Sequence, residues 1–290
     1  MVATPIGNMQ DMTKRAISIL GSADFVVSED TRRTGTLLKH FDISAKQISH
    51  HEHNWKQKAP EILELARNGK SIAVVSDAGT PGISDPGMQL AQMCHQAGVP
   101  VRPVPGACAA AAGISVSGMG SGEFLFKGFL AAKGKERKED VARVCSASCA
   151  VVLYEAPHRV VDTLKAIAQT QGSRGVMLGR ELTKLHEETF RGTVDEAIEH
   201  LQKPGGETRG EFTVILSEVE GGKDVGEEED GKAREMMAML INEGVKASVA
   251  GRAVAAALGV PKNKAKKMAL ALDSELNDQD GDDEQEEEKE

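Results

Sequence analysis

Short apolar runs alternate with amphipathic stretches through the first 217 residues of this chain, and that alternation restricts the fold more than any other feature. DFVVS at 24–28, SIAVVS at 71–76, VPVRPV at 99–104 and FLFKGF at 124–129 read as strands, and 12–20, 59–68 and 87–97 read as helices between them. Strand and helix in alternation pack chiefly as a mostly parallel sheet with helices on its faces. A second set follows: strands at 150–154 (AVVLY), 175–179 (GVMLG) and 211–217 (EFTVILS), with helices at 158–169 and 194–202. With 290 residues, about twice a common domain size, the chain has room for two α/β domains, 1–120 and 121–218, hinged near Gly118 to Gly122.

The remainder differs in character. Residues 219–231 (VEGGKDVGEEEDG) are rich in glycine and acid, with two apolar positions, and read as a solvated linker. Apolar residues return at helical spacing over 232–272, where Lys262, Lys264, Lys266 and Lys267 cluster after a turn. That unit is either a nucleic-acid-contacting helical element or a packed hairpin with a solvated basic face. Residues 273–290 hold eleven acidic groups and one lysine, and disorder is expected of them. Their local charge of −10, against −9 for the whole chain, leaves residues 1–272 at +1. The folded part is therefore compatible with an anionic partner but does not advertise one.

No apolar stretch reaches the roughly 18 residues of a membrane-spanning helix, and MVATPIGNMQDMTKR lacks the pattern of a secretory signal, so a cytoplasmic protein without a membrane partner is expected. Cys94, Cys108, Cys145 and Cys149 form no CxxC pair and read as buried free thiols. No histidine, cysteine or carboxylate set has metal-ligand spacing, so no metal is expected.

The segment Ser76-Asp77-Ala78-Gly79-Thr80-Pro81-Gly82-Ile83-Ser84-Asp85-Pro86-Gly87 carries the most chemistry. It follows an apolar strand and precedes a helix, which places it at the carboxyl edge of a sheet, where open α/β folds bind ligands. It is neither GxGxxG nor GxxxxGK[ST]. Its glycines admit a close ligand and its prolines stiffen the loop, which suits an adenosyl ligand better than a polyphosphate; a turn without a ligand is the alternative. Pro105 to Ala110 forms a second strand-to-helix turn whose small residues either leave room for a ligand or pack helices closely. Tyr154 to Arg159 and Gly179 to Lys184 place polar groups at two more strand ends, as site residues or as a surface ion-pair network.

Thr4-Pro5-Ile6-Gly7-Asn8, Glu29-Asp30-Thr31-Arg32, His51-Glu52-His53-Asn54, the Ser76–Gly87 loop, Pro105-Gly106-Ala107-Cys108-Ala109-Ala110, Tyr154-Glu155-Ala156-Pro157-His158-Arg159, Arg180-Glu181-Leu182-Thr183-Lys184 and Gly210-Glu211-Phe212 occur in this order. In that series the chain resembles, from about residue 2 to 272, the ribosomal RNA small subunit methyltransferase I family of tetrapyrrole-methylase-like methyltransferases. The resemblance implies two α/β domains with a cofactor cleft between them and a small C-terminal helical unit. It implies S-adenosylmethionine as cofactor, with contacts at Thr4, Pro5, Asp77, Ala78, Gly79, Thr80, Ser84, Ala107, Tyr154, Leu182, Glu211 and Phe212. It implies 2′-O-methylation of a cytidine in the decoding region of 16S rRNA by a homodimer. Only Met1-Val2-Ala3 precede Thr4, where that family has several apolar residues completing a first strand.

A ribose hydroxyl is a poor nucleophile that must be oriented and relieved of its proton. Candidates for that task are Glu29, Asp30, His53, Glu155 and Lys184, with Arg32, Arg159 and Arg180 beside the lysine cluster for phosphate contacts. Two rivals stand beside this reading. A methyltransferase for a small molecule such as a corrinoid precursor predicts an enclosed apolar cleft, and a non-catalytic RNA-binding assembly factor predicts RNA binding indifferent to cofactor.

Overall fold

In the computed structural model the described residues are 1–120, 122–219, 225–258, 260 and 264–273. Lys262, the acidic run beyond 273 and residues 220–224 of the expected linker lie outside them. The chain divides into two compact units, Met1–Glu220 and Gly221–Glu290.

The first half of the larger unit runs α1 (Lys14–Ser22), β1 (Phe25–Ser28), α2 (Thr31–His40), β2 (Gln47–Ser49), α3 (Trp55–Arg67), β3 (Ile72–Val74), α4 (Met88–Gln96) and α5 (Ala109–Ser117). Its strands pair in parallel in the order β2-β1-β3. Val2 extends this sheet: its N–H donates to Val74 O at 2.8 Å, and Val104 N–H donates to Met1 O at 2.8 Å. One face buries Ala16, Leu20, Val26, Leu38 and Ala73, the other Val27, Ala59, Ile62, Val74 and Leu90, so helices cover both sides. The strand expected over 99–104 reduces to a single bridge from Val104 to Val2, because Pro100 and Pro103 have no N–H to give a ladder.

The second half runs β4 (Phe124–Phe129), α6 (Gly134–Cys145), β5 (Ala150–Glu155), α7 (Val160–Gln171), β6 (Gly175–Arg180), β7 (Glu188–Thr193), α8 (Val194–Gln202) and β8 (Phe212–Leu216). Its sheet has the order β4-β5-β8-β6-β7. This second sheet is mixed, unlike the parallel first one. Its one parallel pair is β4 with β5; β7 folds straight back on β6, and β8 lies antiparallel between the codirectional β5 and β6. Val151, Leu153, Leu178, Val214 and Leu216 pack one face against Val144, Leu164 and Ile167. Val152, Met177 and Ile215 pack the other against Ala110 of α5, which explains why β5 and β8 read as unbroken apolar runs. Helix α5 approaches so closely that a Cβ on Gly113 would lie 2.9 Å from Thr213 Cγ2.

The smaller unit contains α9 (Val225–Asn242), α10 (Ala247–Leu258) and a helix α11 over 264–273. The expected linker therefore ends earlier than 231. Met237, Ala247, Val254, Ala265, Ala269 and Leu272 form its core. Lys264, Lys266 and Lys267 are exposed on α11. Among the described residues no helix is long and apolar enough to cross a membrane, and all four cysteines are free thiols, with Cys94 buried and the other three half-buried.

Candidate active site

The loops after β3 and after the Val2 segment open onto one cleft, closed on its other side by the end of β5 and the start of β8. The cleft encloses about 360 Å³ and is lined by the 77–85 loop, Cys108 and Ala109 at the start of α5, Phe129, the end of β5, residues 181–184 and the start of β8. A recess lined by Thr4, Pro5 and Ser76 adjoins it, sharing Ile6, Arg33, Asp77 and Ala78.

Backbone pairing fixes the loop. Thr4 and Gly79 exchange N–H···O bonds of 2.9 and 3.1 Å, and the Thr80 hydroxyl donates to Ala107 O at 3.0 Å. Gly79 has φ +81, a conformation that favours glycine, and a Cβ there would sit in a tight 3.2 Å contact with Ile6 Cγ2. Ser84 also adopts a left-handed conformation, and its hydroxyl occupies the space that a side chain on Gly128 would need. Asp77 accepts from Asp30 N–H at 3.0 Å and pairs with Arg33 at 3.2 Å, tying the loop to the start of α2.

Of the residues expected to touch a cofactor, Asp77, Ala78, Gly79, Thr80, Ser84, Tyr154, Leu182, Glu211 and Phe212 line the cleft, Thr4 and Pro5 line the recess, and Ala107 supplies the carbonyl that holds Thr80. The buried Thr4 hydroxyl has no hydrogen-bond partner among the described residues.

The residues expected to act on a hydroxyl divide differently. Glu155 is 1% exposed and accepts from Ala156 N–H, from the Thr163 hydroxyl at 2.6 Å and from Arg159 at 3.3 Å. Lys184 pairs with Glu181 at 2.8 Å and Glu211 at 2.9 Å. Burial pulls its pKa down, but the two carboxylates outweigh that and hold it above the usual lysine value. Asp30 caps α2 by accepting from Arg32 N–H, and Arg32 hydrogen bonds hold its carboxyl well below the usual range. His53 is exposed in a turn and, like Glu29 and Asp30, is not part of the cleft wall. Burial and then Asp77 raise the Glu29 pKa, against His51 and Arg33.

The expected phosphate-binding arginines are otherwise engaged. Arg159 donates to Leu130 O at 2.7 Å, and Arg180 pairs with Glu188 at 2.9 Å and donates to Arg209 O. Both guanidinium groups are held by internal acceptors. Arg32 projects into solvent, while its neighbour Arg33 faces the cleft. Sequence reasoning missed Arg33, Phe129 and Asp85 as cleft residues; Asp85 lies within the 76–87 loop, but only tertiary packing selects it and the other two.

A family model described as Tetrapyrrole (Corrin/Porphyrin) Methylases matches residues 1–198. Ribosomal RNA small subunit methyltransferase I of Synechocystis sp. is 38% identical over 278 residues, covering 95% of this chain and 98% of that protein. The protein of the same name from Escherichia coli O157:H7 is 40% identical over 272 residues, covering 93% of each chain. The chain belongs to the ribosomal RNA small subunit methyltransferase I family. Solved structures agree in fold: cobalt precorrin-4 methyltransferase has a TM-score of 0.56 at 16% identity, covering 74% of this chain and 92% of its own. Diphthine synthase has a TM-score of 0.58 at 14% identity, covering 74% and 88%.

As a member of the ribosomal RNA small subunit methyltransferase I family the chain is a methyltransferase, and its methyl donor is S-adenosylmethionine. The cleft residues fit that donor. Its volume lies in the usual range of small-ligand pockets, about 300–1,000 Å³. Ile6, Ile83, Leu182 and Phe212 would meet the adenosyl part with apolar surface, and Asp77 and Glu211 would meet its cationic groups with carboxylates. Glycine at 79 keeps the backbone open to close approach.

Proposed function

We propose that this protein transfers a methyl group from S-adenosylmethionine to the 2′-hydroxyl of a cytidine ribose in the decoding region of 16S rRNA. The observation that carries the reading is one cleft lined by the 77–85 loop, Tyr154 and the Glu211–Phe212 segment, in a chain 38% identical to a ribosomal RNA small subunit methyltransferase I over 95% of its length. The donor supplies the electrophilic methyl group. The chain's part is to hold donor and ribose in line, exclude water and take up the hydroxyl proton. The rigid 76–87 loop and the Tyr154 wall do the first. The exposed Lys264, Lys266 and Lys267 of the smaller unit offer sequence-independent phosphate contacts. The same reading extends to a homodimer working on the small subunit in the cytoplasm.

The test is incorporation of labelled methyl into 30S subunits, with mapping of the modified nucleotide and of its 2′-O position. Methylated cytidine in the decoding region is the expected result. Incorporation into a corrinoid precursor and none into 30S subunits favours a small-molecule methyltransferase; RNA binding without incorporation favours an assembly factor.

A further inference from the structure

Among the described residues each charged group on the cleft wall except one is held in an ion pair. Asp77 is engaged by Arg33 and Asp30 N–H, Glu155 by Arg159 and Thr163, and Glu181 and Glu211 by Lys184. Asp85 is the exception: it lines the cleft, is half-buried, and makes no ion pair among the described residues. The groups facing it are the Ser76 hydroxyl, Glu29 beyond β1, Asp77 in its own loop, Glu211 before β8 and Tyr154 on β5. Its position is fixed on both sides, by Ser84 in a left-handed conformation seated on Gly128 and by Pro86, whose ring locks φ.

We propose that Asp85 is the catalytic residue that accepts the proton of the ribose hydroxyl during methyl transfer, an assignment that rests on the function proposed above. The hydroxyl oxygen uses a lone pair to form the new O–C bond, the C–S bond of the donor breaks with both electrons going to sulfur, and the released proton passes to the Asp85 carboxylate and then to water. A base for this step must be ionised at working pH, within the cleft, and not neutralised by a cation. Asp85 meets all three conditions, whereas Glu155 and Lys184 are tied into ion pairs, and Glu29, Asp30 and His53 lie off the cleft wall. Burial raises its pKa to about 6, helped by Glu29, Asp77 and Glu211 and opposed by Ser76, which makes it a stronger base than an ordinary aspartate yet ionised at neutral pH.

Three measurements on Asp85→Asn and Asp85→Glu test this. Single-turnover methylation of 30S subunits is expected to fall at least ~100-fold in Asp85→Asn, with partial recovery in Asp85→Glu. Affinity for S-adenosylhomocysteine is expected to stay within about 3-fold, roughly 0.65 kcal/mol. The wild-type rate should drop below pH about 6, and that inflection should vanish in Asp85→Asn, together with one aspartate carboxyl resonance titrating near the same pH in a 13C spectrum. A near wild-type rate or a surviving inflection overturns the proposal. So does a loss of rate matched by an equal loss of homocysteine-ligand affinity, which makes Asp85 a cofactor contact. Absence of wild-type incorporation into 30S subunits defeats the functional reading itself, and the ribose base with it; wild-type incorporation with an active Asp85→Asn defeats only the base.

Discussion

The Tyr154 hydroxyl accepts a hydrogen bond of 3.0 Å from Ala110 N–H, joining β5 of the second sheet to the first turn of α5. Ala110 is buried, so that N–H has no route to water. Burial, followed by Cys108, pushes the phenol above its ordinary pKa and keeps the hydroxyl protonated. Tyr154→Phe should lower stability by about 1–3 kcal/mol, the cost of a buried unpaired donor, and weaken S-adenosylhomocysteine binding. Urea denaturation and calorimetric titration of the variant check the two effects; unchanged stability would show that the hydroxyl contributes nothing at this contact.

Gly79→Val places a branched side chain at φ +81 and against Ile6. Binding of S-adenosylhomocysteine should be lost, with a far-ultraviolet circular dichroism spectrum near wild type. The left-handed conformation adds roughly 1–2 kcal/mol of strain, so the melting temperature should also fall. Wild-type affinity in this variant removes the loop from the site.

Asp85 should also be visible in the stability of the protein. Its folded-state pKa is raised from 3.8 to about 6, so the folded chain holds the proton more tightly than the unfolded one. Stability from this group is present below the lower value and is lost as pH rises to the upper one. Asp85→Asn should therefore be more stable than wild type above that window, by about 1 kcal/mol once solvent screening of a half-exposed group is allowed for. Chemical denaturation at pH 8 and at the acid end measures it; equal stability at pH 8 contradicts the raised pKa.

Lys264, Lys266 and Lys267 project from α11 in a molecule whose first 272 residues carry only +1. Replacing the three with glutamine should flatten the plot of log RNA affinity against log salt by roughly 0.7–0.9 per lost phosphate contact. Deleting 273–290 should instead tighten RNA binding at low salt, an effect that fades as ions screen the acidic run. A decoding-region fragment and intact 30S subunits across a salt series provide the readout, and an unchanged slope in the glutamine variant makes the lysines a solvated face.

The strands richest in β-branched residues, at 24–28, 71–76, 150–154 and 211–217, were legible because each is buried. β2 and β7 were not. Gln47–Ser49 and Glu188–Thr193 are partly exposed edge strands without an apolar alternation to mark them. The direction of β8 is also absent from local pattern, since a buried strand reads alike in parallel and antiparallel company. Within the site, EDTR announced a functional segment. Asp30 in it proves to cap a helix, and the cleft receives Arg33, one residue beyond Arg32. Successive helical residues point about 100° apart, and only packing decides which faces inward.

β8 is the last strand of its unit in the chain and yet lies in the middle of its sheet, hydrogen-bonded to β5 on one side and β6 on the other. A nascent chain leaving the ribosome therefore carries β5 and β6 with unpaired apolar edges until residues 212–216 have emerged. The sheet closes late, after most of the chain has been translated, and the start of β8 completes the cleft in the same event. Nascent molecules that stall before Leu216 expose two open sheet edges, and these are the species that chaperones must shield from aggregation.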